Sequence, residues 1–225
     1  MAKKKASRPK EDPKGKLPKG KMALLKDPLV YEREIPRVQL PYKRVLGLDL
    51  ASNCGVSFCD IVPGMPIKDA PIVGGQWDLS VSNHDTNSLR YIRLKQFLSI
   101  TQPDVILYEE VKYTGQSQPP GMAKQNLTAL VARAVSGAQV VHGLSAILTT
   151  WCEERDIPCE AVPIGVLKKY ATGKGSANKE AMITACNEQF GTEFEVEDYD
   201  KTGVDNIADS MFLCKMGVHN YSEGL

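Results

Sequence analysis

Histidine is scarce and cysteine is scattered in this chain: 225 residues hold 3 histidines and 6 cysteines. Cys54, Cys59, Cys152, Cys159, Cys186 and Cys214 never fall in C-x-x-C spacing, which argues against a zinc site and predicts reduced thiols in a cytosol-like compartment. No run approaches the roughly 20 apolar residues of a membrane span, and the start of the chain lacks the apolar stretch of a secretion signal. The pattern G-x-x-x-x-G-K-[ST] is absent, so a nucleotide P-loop is excluded. No internal repeat is visible. A soluble, intracellular protein without a membrane partner is the expectation.

Net charge is also nearly absent, at +1, but it is unevenly spread. Residues 1–44 carry 14 Lys/Arg against 5 Asp/Glu, a net of +9, and residues 45–225 carry 14 against 22, a net of −8. The first 26 residues are rich in Lys, Pro and Gly, with almost no large apolar side chains until Leu24, so a disordered basic arm over 1–40 is predicted ahead of a domain over 41–225. A basic arm on an acidic body fits a polyanion such as nucleic acid, although solubility alone would account for such a tail.

What is present is an alternation of short apolar runs and helical periodicity. Val45–Leu50 reads as a strand buried on both faces, Gly55–Ile61 as its return after the turn "ASNCG", and Ile72–Leu79 as a third strand. Helical periodicity over Asn87–Ile100 runs through Leu89, Ile92, Leu94, Leu98 and Ile100. Asp104–Glu109 is a fourth strand, followed by a loop over 112–121. Ala123–Arg155 reads as a helix interrupted in its preference by Gly137 and Gly143. Cys159–Val162 is a fifth strand and Ile164–Tyr170 a short helix. Ser176 or Asn178 then caps a helix to about Glu188. "EFEVEDYD" is expected to be a solvated acidic loop, and Val204–Met216 the last helix. The order predicts an α/β three-layer fold with a mixed five-stranded central sheet flanked by helices.

Four acids stand on these elements: Asp49 in "VLGLDLASNCG", Glu109 in "VILYEE", and Asp205 and Asp209 in "VDNIADSMF". Each alone has an ordinary structural reading, as a turn cap, a strand end or a helix-start acid. Together, with no histidine or cysteine beside them, they predict an oxygen-rich site for Mg²⁺, with Mn²⁺ able to substitute. Glu109 and Glu110 are adjacent on a strand, so only one can face the pocket. Asp205 and Asp209 are i and i+4 on a helix, so both can reach one cation. Lys168, Lys169, Lys174 and Lys179 surround the segment "TGKGSANK" and would admit a phosphate backbone to an acidic site. Tyr113 is a candidate to stack on an unpaired base, or an ordinary exposed tyrosine.

These islands, in this order, resemble the RuvC-type Holliday junction resolvases, within the RNase H-like superfold. "VLGLDLASNCGVS" looks like the first-strand motif with its catalytic aspartate, and "DVILYEEV" like the strand whose last acid is catalytic. "VLKKYATGKGSANK" is similar to the family segment V-K-x-x-x-T-G-x-G-x-A-x-K, which carries basic roles onto Lys168 and Lys179. "NIADSM" resembles the closing helix motif, ending in Asp209. The resemblance covers roughly Tyr42–Val218. It implies an endonuclease that cuts Holliday junctions or other branched DNA with two metal ions per site, leaving 5′-phosphate and 3′-hydroxyl ends. Asp49, Glu109, Asp205 and Asp209 would be its ligands, and Lys179 a further catalytic group.

Two-fold symmetric DNA then implies a homodimer, for which helix 123–155 is a candidate surface, although core packing explains its apolar character equally. The long basic arm looks more like phage-encoded relatives, placing the protein in the cytoplasm of a bacterial cell or an infected host. One position departs from the family. Asn206 stands where an acid or histidine is usual, three residues before Asp209, and Asp205 stands four before it. Asp205 is expected as the fourth ligand, with Asn206 as the competing candidate. An RNase H-like or transposase-like enzyme with another nucleic-acid substrate, and a junction-binding protein with impaired catalysis, remain alternatives.

Overall fold

The computed structural model describes residues 42–62, 66, 70–111, 124–197 and 199–221, and within them all side chains except those of 124–136, 200 and 201. The arm expected over 1–40, the loop 112–121 and Tyr113 lie outside these residues; everything below belongs to the unit Arg37–Leu225.

Three strands open the domain: β1 (Lys43–Asp49), β2 (Asn53–Ile61) and β3 (Val73–Asp78). Helix α1 (Leu89–Thr101), β4 (Val105–Glu109), the long α2 (Lys124–Glu153) and β5 (Cys159–Val162) follow. The chain closes with α3 (Ile164–Thr172), α4 (Lys179–Phe190), the single turn α5 (Tyr199–Thr202) and α6 (Val204–Tyr221). The strands form one mixed sheet in the order β3-β2-β1-β4-β5. Strands β1, β2 and β3 pair antiparallel as a meander, and β4 and β5 join parallel to β1.

Strand β1 is central because its sequence is apolar on both faces. Leu46 and Leu48 join the core containing Leu94 and Leu98 of α1 and Leu144 and Leu148 of α2. Val45 joins the opposite core, with Leu167 of α3, Met182 and Ile183 of α4, and Met211 and Phe212 of α6. Three layers result, and α6 lies across β1, β2 and β4. Glycine makes that approach possible. A Cβ on Gly47 would collide with the Ser210 carbonyl and the Cys214 nitrogen, and one on Gly55 with the Asn206 backbone. The Ser57 hydroxyl donates to the Ser210 carbonyl oxygen at 2.5 Å, fastening β2 to α6 at the same level.

Three details differ from the expectations, and one settles an alternative they left open. In α1 the buried stripe is Arg90, Leu94 and Leu98, at i, i+4 and i+8, while Ile92 and Ile100 are 37% and 65% exposed. Asn178, and not Ser176, caps α4, its side-chain oxygen accepting the Ala181 amide at 3.0 Å. Helix α6 runs more than a turn past Met216, because Gly217 is a contact point against Val45 and Leu107 and not a stop. The stretch 193–197 alternates, with Glu193, Glu195 and Glu197 exposed and Phe194 and Val196 packed on the core, and Tyr199 begins α5. Its acids are solvated and its apolar side chains are not. Among the described residues, no helix is long and apolar enough to cross a membrane.

Candidate metal centre

Asp49 is the last residue of β1 and Glu109 the last of β4. Their strands are parallel neighbours with Leu48 beside Tyr108, so the next pair brings the two acids side by side. In-register residues of parallel strands share a face, here the one α6 crosses. From α6, Asp209 meets them: ligand oxygens of Asp49, Glu109 and Asp209 all lie within 4.8 Å of one another. Glu110 is not in this trio, and its amide donates to the Val162 carbonyl in the β5 direction at 2.8 Å.

Three carboxylates this close repel one another. Burial, then the charges of Glu109, Asp209 and Asp205, push the Asp49 carboxyl well above its usual range, against the pull of Lys179. Burial also raises Glu109, opposed by Lys168 and Lys179. Asp209 is lifted to about 7 by burial first, then by Glu109 and Asp205, with the same two lysines opposing. Its Oδ1 is buried without a hydrogen-bond partner among the described residues. Carboxylates gathered in this way, with an orphaned oxygen and no sulfur or imidazole in the set, fit a hard divalent cation such as Mg²⁺ or Mn²⁺.

Asp205, on the first turn of α6, does not join the trio. Its Oδ2 accepts the Lys179 ammonium at 2.5 Å, and the same ammonium lies 5.2 Å from the centre of the Tyr199 ring. Asn206 donates its side-chain amide to the Asn53 carbonyl at 2.8 Å, tying α6 to the tip of the β1–β2 hairpin. Lys179 is the first residue of α4 and Lys168 lies on α3, so the intervening glycine segment delivers both cations to the acids. Gly173, at φ +78°, ends α3 in a left-handed turn that any other residue would strain. Lys169 and Lys174 are exposed on the outer side of that segment. Tyr199 had no signal in the sequence beyond standing in an acidic loop, because its role depends on where α4 begins.

A stability prediction follows from these shifts. Asp209 titrates near 7 when folded and near 4 when unfolded, so the folded protein binds the extra proton between those values. Metal-free protein should therefore lose stability as pH rises from about 4 to about 7, by on the order of 4 kcal/mol from this one group. A divalent cation replaces the proton, so Mg²⁺ should raise the melting temperature more at pH 8 than at pH 5. Thermal unfolding at the two pH values, with and without Mg²⁺, measures this; equal shifts at both would sink it.

The sheet order, with α6 laid across it and acids at the ends of β1 and β4, is that of the RNase H-like α/β fold. Thermus thermophilus RuvC shares it: one structure aligns at a TM-score of 0.50 and 16% identity, covering 80% of this chain and 96% of that one. A second, T. thermophilus RuvC in complex with a Holliday junction substrate, aligns at 0.52 and 15%, covering 80% and 94%. No protein-family model and no curated protein matches the chain. At these identities the likeness establishes the fold.

Proposed function

We propose that this protein is a divalent-metal-dependent endonuclease that cuts four-way junctions or other branched DNA, leaving 5′-phosphate and 3′-hydroxyl ends. The observation that carries the reading is the trio of Asp49, Glu109 and Asp209 at the ends of two parallel strands and on the helix that crosses them. A structural neighbour solved with a Holliday junction substrate supports the choice of DNA over other polyanions. When bound, a pair of Mg²⁺ or Mn²⁺ ions supplies activation of a water for in-line attack and stabilisation of the leaving 3′-oxygen. Asp49, Glu109 and Asp209 would hold these ions. Lys168 and Lys179 offset the charge of the incoming phosphate. Lys169 and Lys174 extend the basic surface along the backbone. Paired cuts in a two-fold symmetric junction call for a homodimer.

Asp205 serves this site by holding Lys179. Lys179→Ala and Asp205→Asn should each slow cleavage on the order of tenfold to a hundredfold. The double variant should be no slower than the worse single, because the pair acts as one unit. A Mg²⁺ requirement raised by Asp205→Asn and untouched by Lys179→Ala would instead make Asp205 a ligand.

The function itself is tested with purified protein and Mg²⁺ on a synthetic four-way junction, beside the matching linear duplex, a flap and an RNA–DNA hybrid. Symmetric nicks near the junction centre, with the duplex intact, are expected. Preferential cutting of the hybrid or the duplex overturns the branched-DNA assignment.

A further inference from the structure

Arginine 90 is the second residue of α1, and it heads the buried stripe that continues through Leu94 and Leu98. It is only 7% exposed. Its Nε is buried with no hydrogen-bond partner among the described residues. Among the described residues its terminal nitrogens reach only the Ser52 hydroxyl and the Asn87 side-chain oxygen, each at 3.4 Å, beyond the usual range for such bonds. Among the described residues no carboxylate pairs with it.

The same chain shows what a structural arginine looks like. Arg44 grips both oxygens of Asp60 at 2.6 and 2.7 Å, donates to the Thr101 carbonyl at 2.8 Å, and lies against the rings of Tyr42 and Phe58. Arg90 has none of this. A guanidinium taken out of water without a counter-charge is strongly unfavourable, and a missing anion is the simplest remedy. Its location makes the want greater. It sits in the first turn of a 13-residue helix, where the backbone dipole repels a cation and attracts an anion, and no acid occupies that turn. Ser88, at the cap position, makes no side-chain capping bond. Ser52, Asn53 and Asn87 around it are exposed and polar.

Ser52 is at the tip of the β1–β2 hairpin, where the last pair before the turn is Asp49 with Gly55. Three peptide units span Asp49 to Ser52, a reach of at most about 10 Å. Leu46 and Leu48 face α1, and Asp49 faces α6, so Arg90 and the trio flank the hairpin from opposite sides of the sheet.

We propose that Arg90, with Ser52 and Asn87, forms a phosphate-binding subsite at the tip of the β1–β2 hairpin. The forked guanidinium matches two phosphate oxygens, and Ser52 and Asn87 offer donors beside it. That the phosphate belongs to a nucleic-acid backbone, within about three nucleotides of the cut, rests on the nuclease reading. The anion subsite itself does not.

The test uses the full chain with Arg90→Met and Arg90→Lys, in the absence of divalent metal, with inorganic phosphate and a four-way junction as separate probes. Inorganic phosphate should raise the melting temperature of the unaltered protein and leave Arg90→Met unmoved. Without phosphate, Arg90→Met should melt at the same temperature as the parent or higher, because a buried unpaired charge is gone. Its junction affinity should fall on the order of tenfold, equally for duplex, with the slope of log affinity against log salt smaller by about one. Arg90→Lys should keep that slope. A lower melting temperature for Arg90→Met, with the phosphate response intact, overturns the subsite and makes Arg90 a clamp on the hairpin. An unchanged salt slope in a protein that binds junctions, and cuts them once Mg²⁺ is added, also overturns it and leaves the nuclease standing. A phosphate response lost in Arg90→Met, in a protein that binds no junction, upholds the subsite and removes the nuclease.

Discussion

Asp49→Asn is expected to fold, to bind a four-way junction, and to leave it uncut. The amide has the shape of the carboxylate and lacks the charge that a cation requires. Loss of a partner that merely supports a metal ligand lowers affinity or activity tenfold to a hundredfold, so loss of a ligand itself should exceed that, on the order of a thousandfold. Stability should move the other way. Asp49 is held against burial and against Glu109, Asp209 and Asp205, and the neutral amide removes that repulsion. At pH 8 without metal, Asp49→Asn should therefore melt above the parent, and its response to Mg²⁺ should be lost. Glu109→Gln should behave alike, while Glu110→Gln, outside the trio, should stay close to the parent. Nicking above background in Asp49→Asn, or a dead Glu110→Gln beside an active Glu109→Gln, would remove the assignment.

The second large effect is structural. Gly55→Ala places a methyl group against the Asn206 backbone, where neither side can rotate out of the way. Overpacking commonly destabilises by about 1–3 kcal/mol when side chains can adjust, so a backbone collision should reach or pass the upper end. Helix α6 must lift from β2, and Asp209 lifts with it. Urea unfolding should show the stability loss, and Mg²⁺ titration should show weaker binding in whatever remains folded. Gly75→Ala is the control. Nothing lies within 4 Å of its added methyl group, and a strand alanine should be neutral or stabilising by about 0.5–1 kcal/mol. Equal stability of the two variants would disprove the close-contact account.

Much of the fold could be read before the structure, and the reasons are local. A short apolar run ended by an acid is enough to place β1 and β4, and the spacing of turns is enough to order the sheet. The gathering of Asp49, Glu109 and Asp209 was legible for the same reason, since strand ends and a helix face are positions that local pattern defines. What local pattern does not carry is contact between distant elements. Gly217 resembles a helix stop until Val45 and Leu107 are seen to touch it. Asp205 shares a stripe with Asp209, and its partner proved to be an ammonium from α4, 26 residues earlier. Arg90 reads as a surface residue in any sequence, because periodicity counts apolar side chains and passes over a buried cation. In the acidic stretch, composition concealed the alternation that packs Phe194 and Val196 on the core.

The three acids come from the first strand, the fourth strand and the final helix, so the centre is assembled across 160 residues of intervening chain, from Asp49 to Asp209. On a ribosome, the first two acids emerge and can pair in the sheet well before the third exists. Until α6 is made and settles over Gly47 and Gly55, the nascent polypeptide holds an incomplete set of ligands. Under the nuclease function proposed above, cutting power would thus arrive only when α6 docks. Chains that stall or are clipped before that step would be harmless to the genome around them.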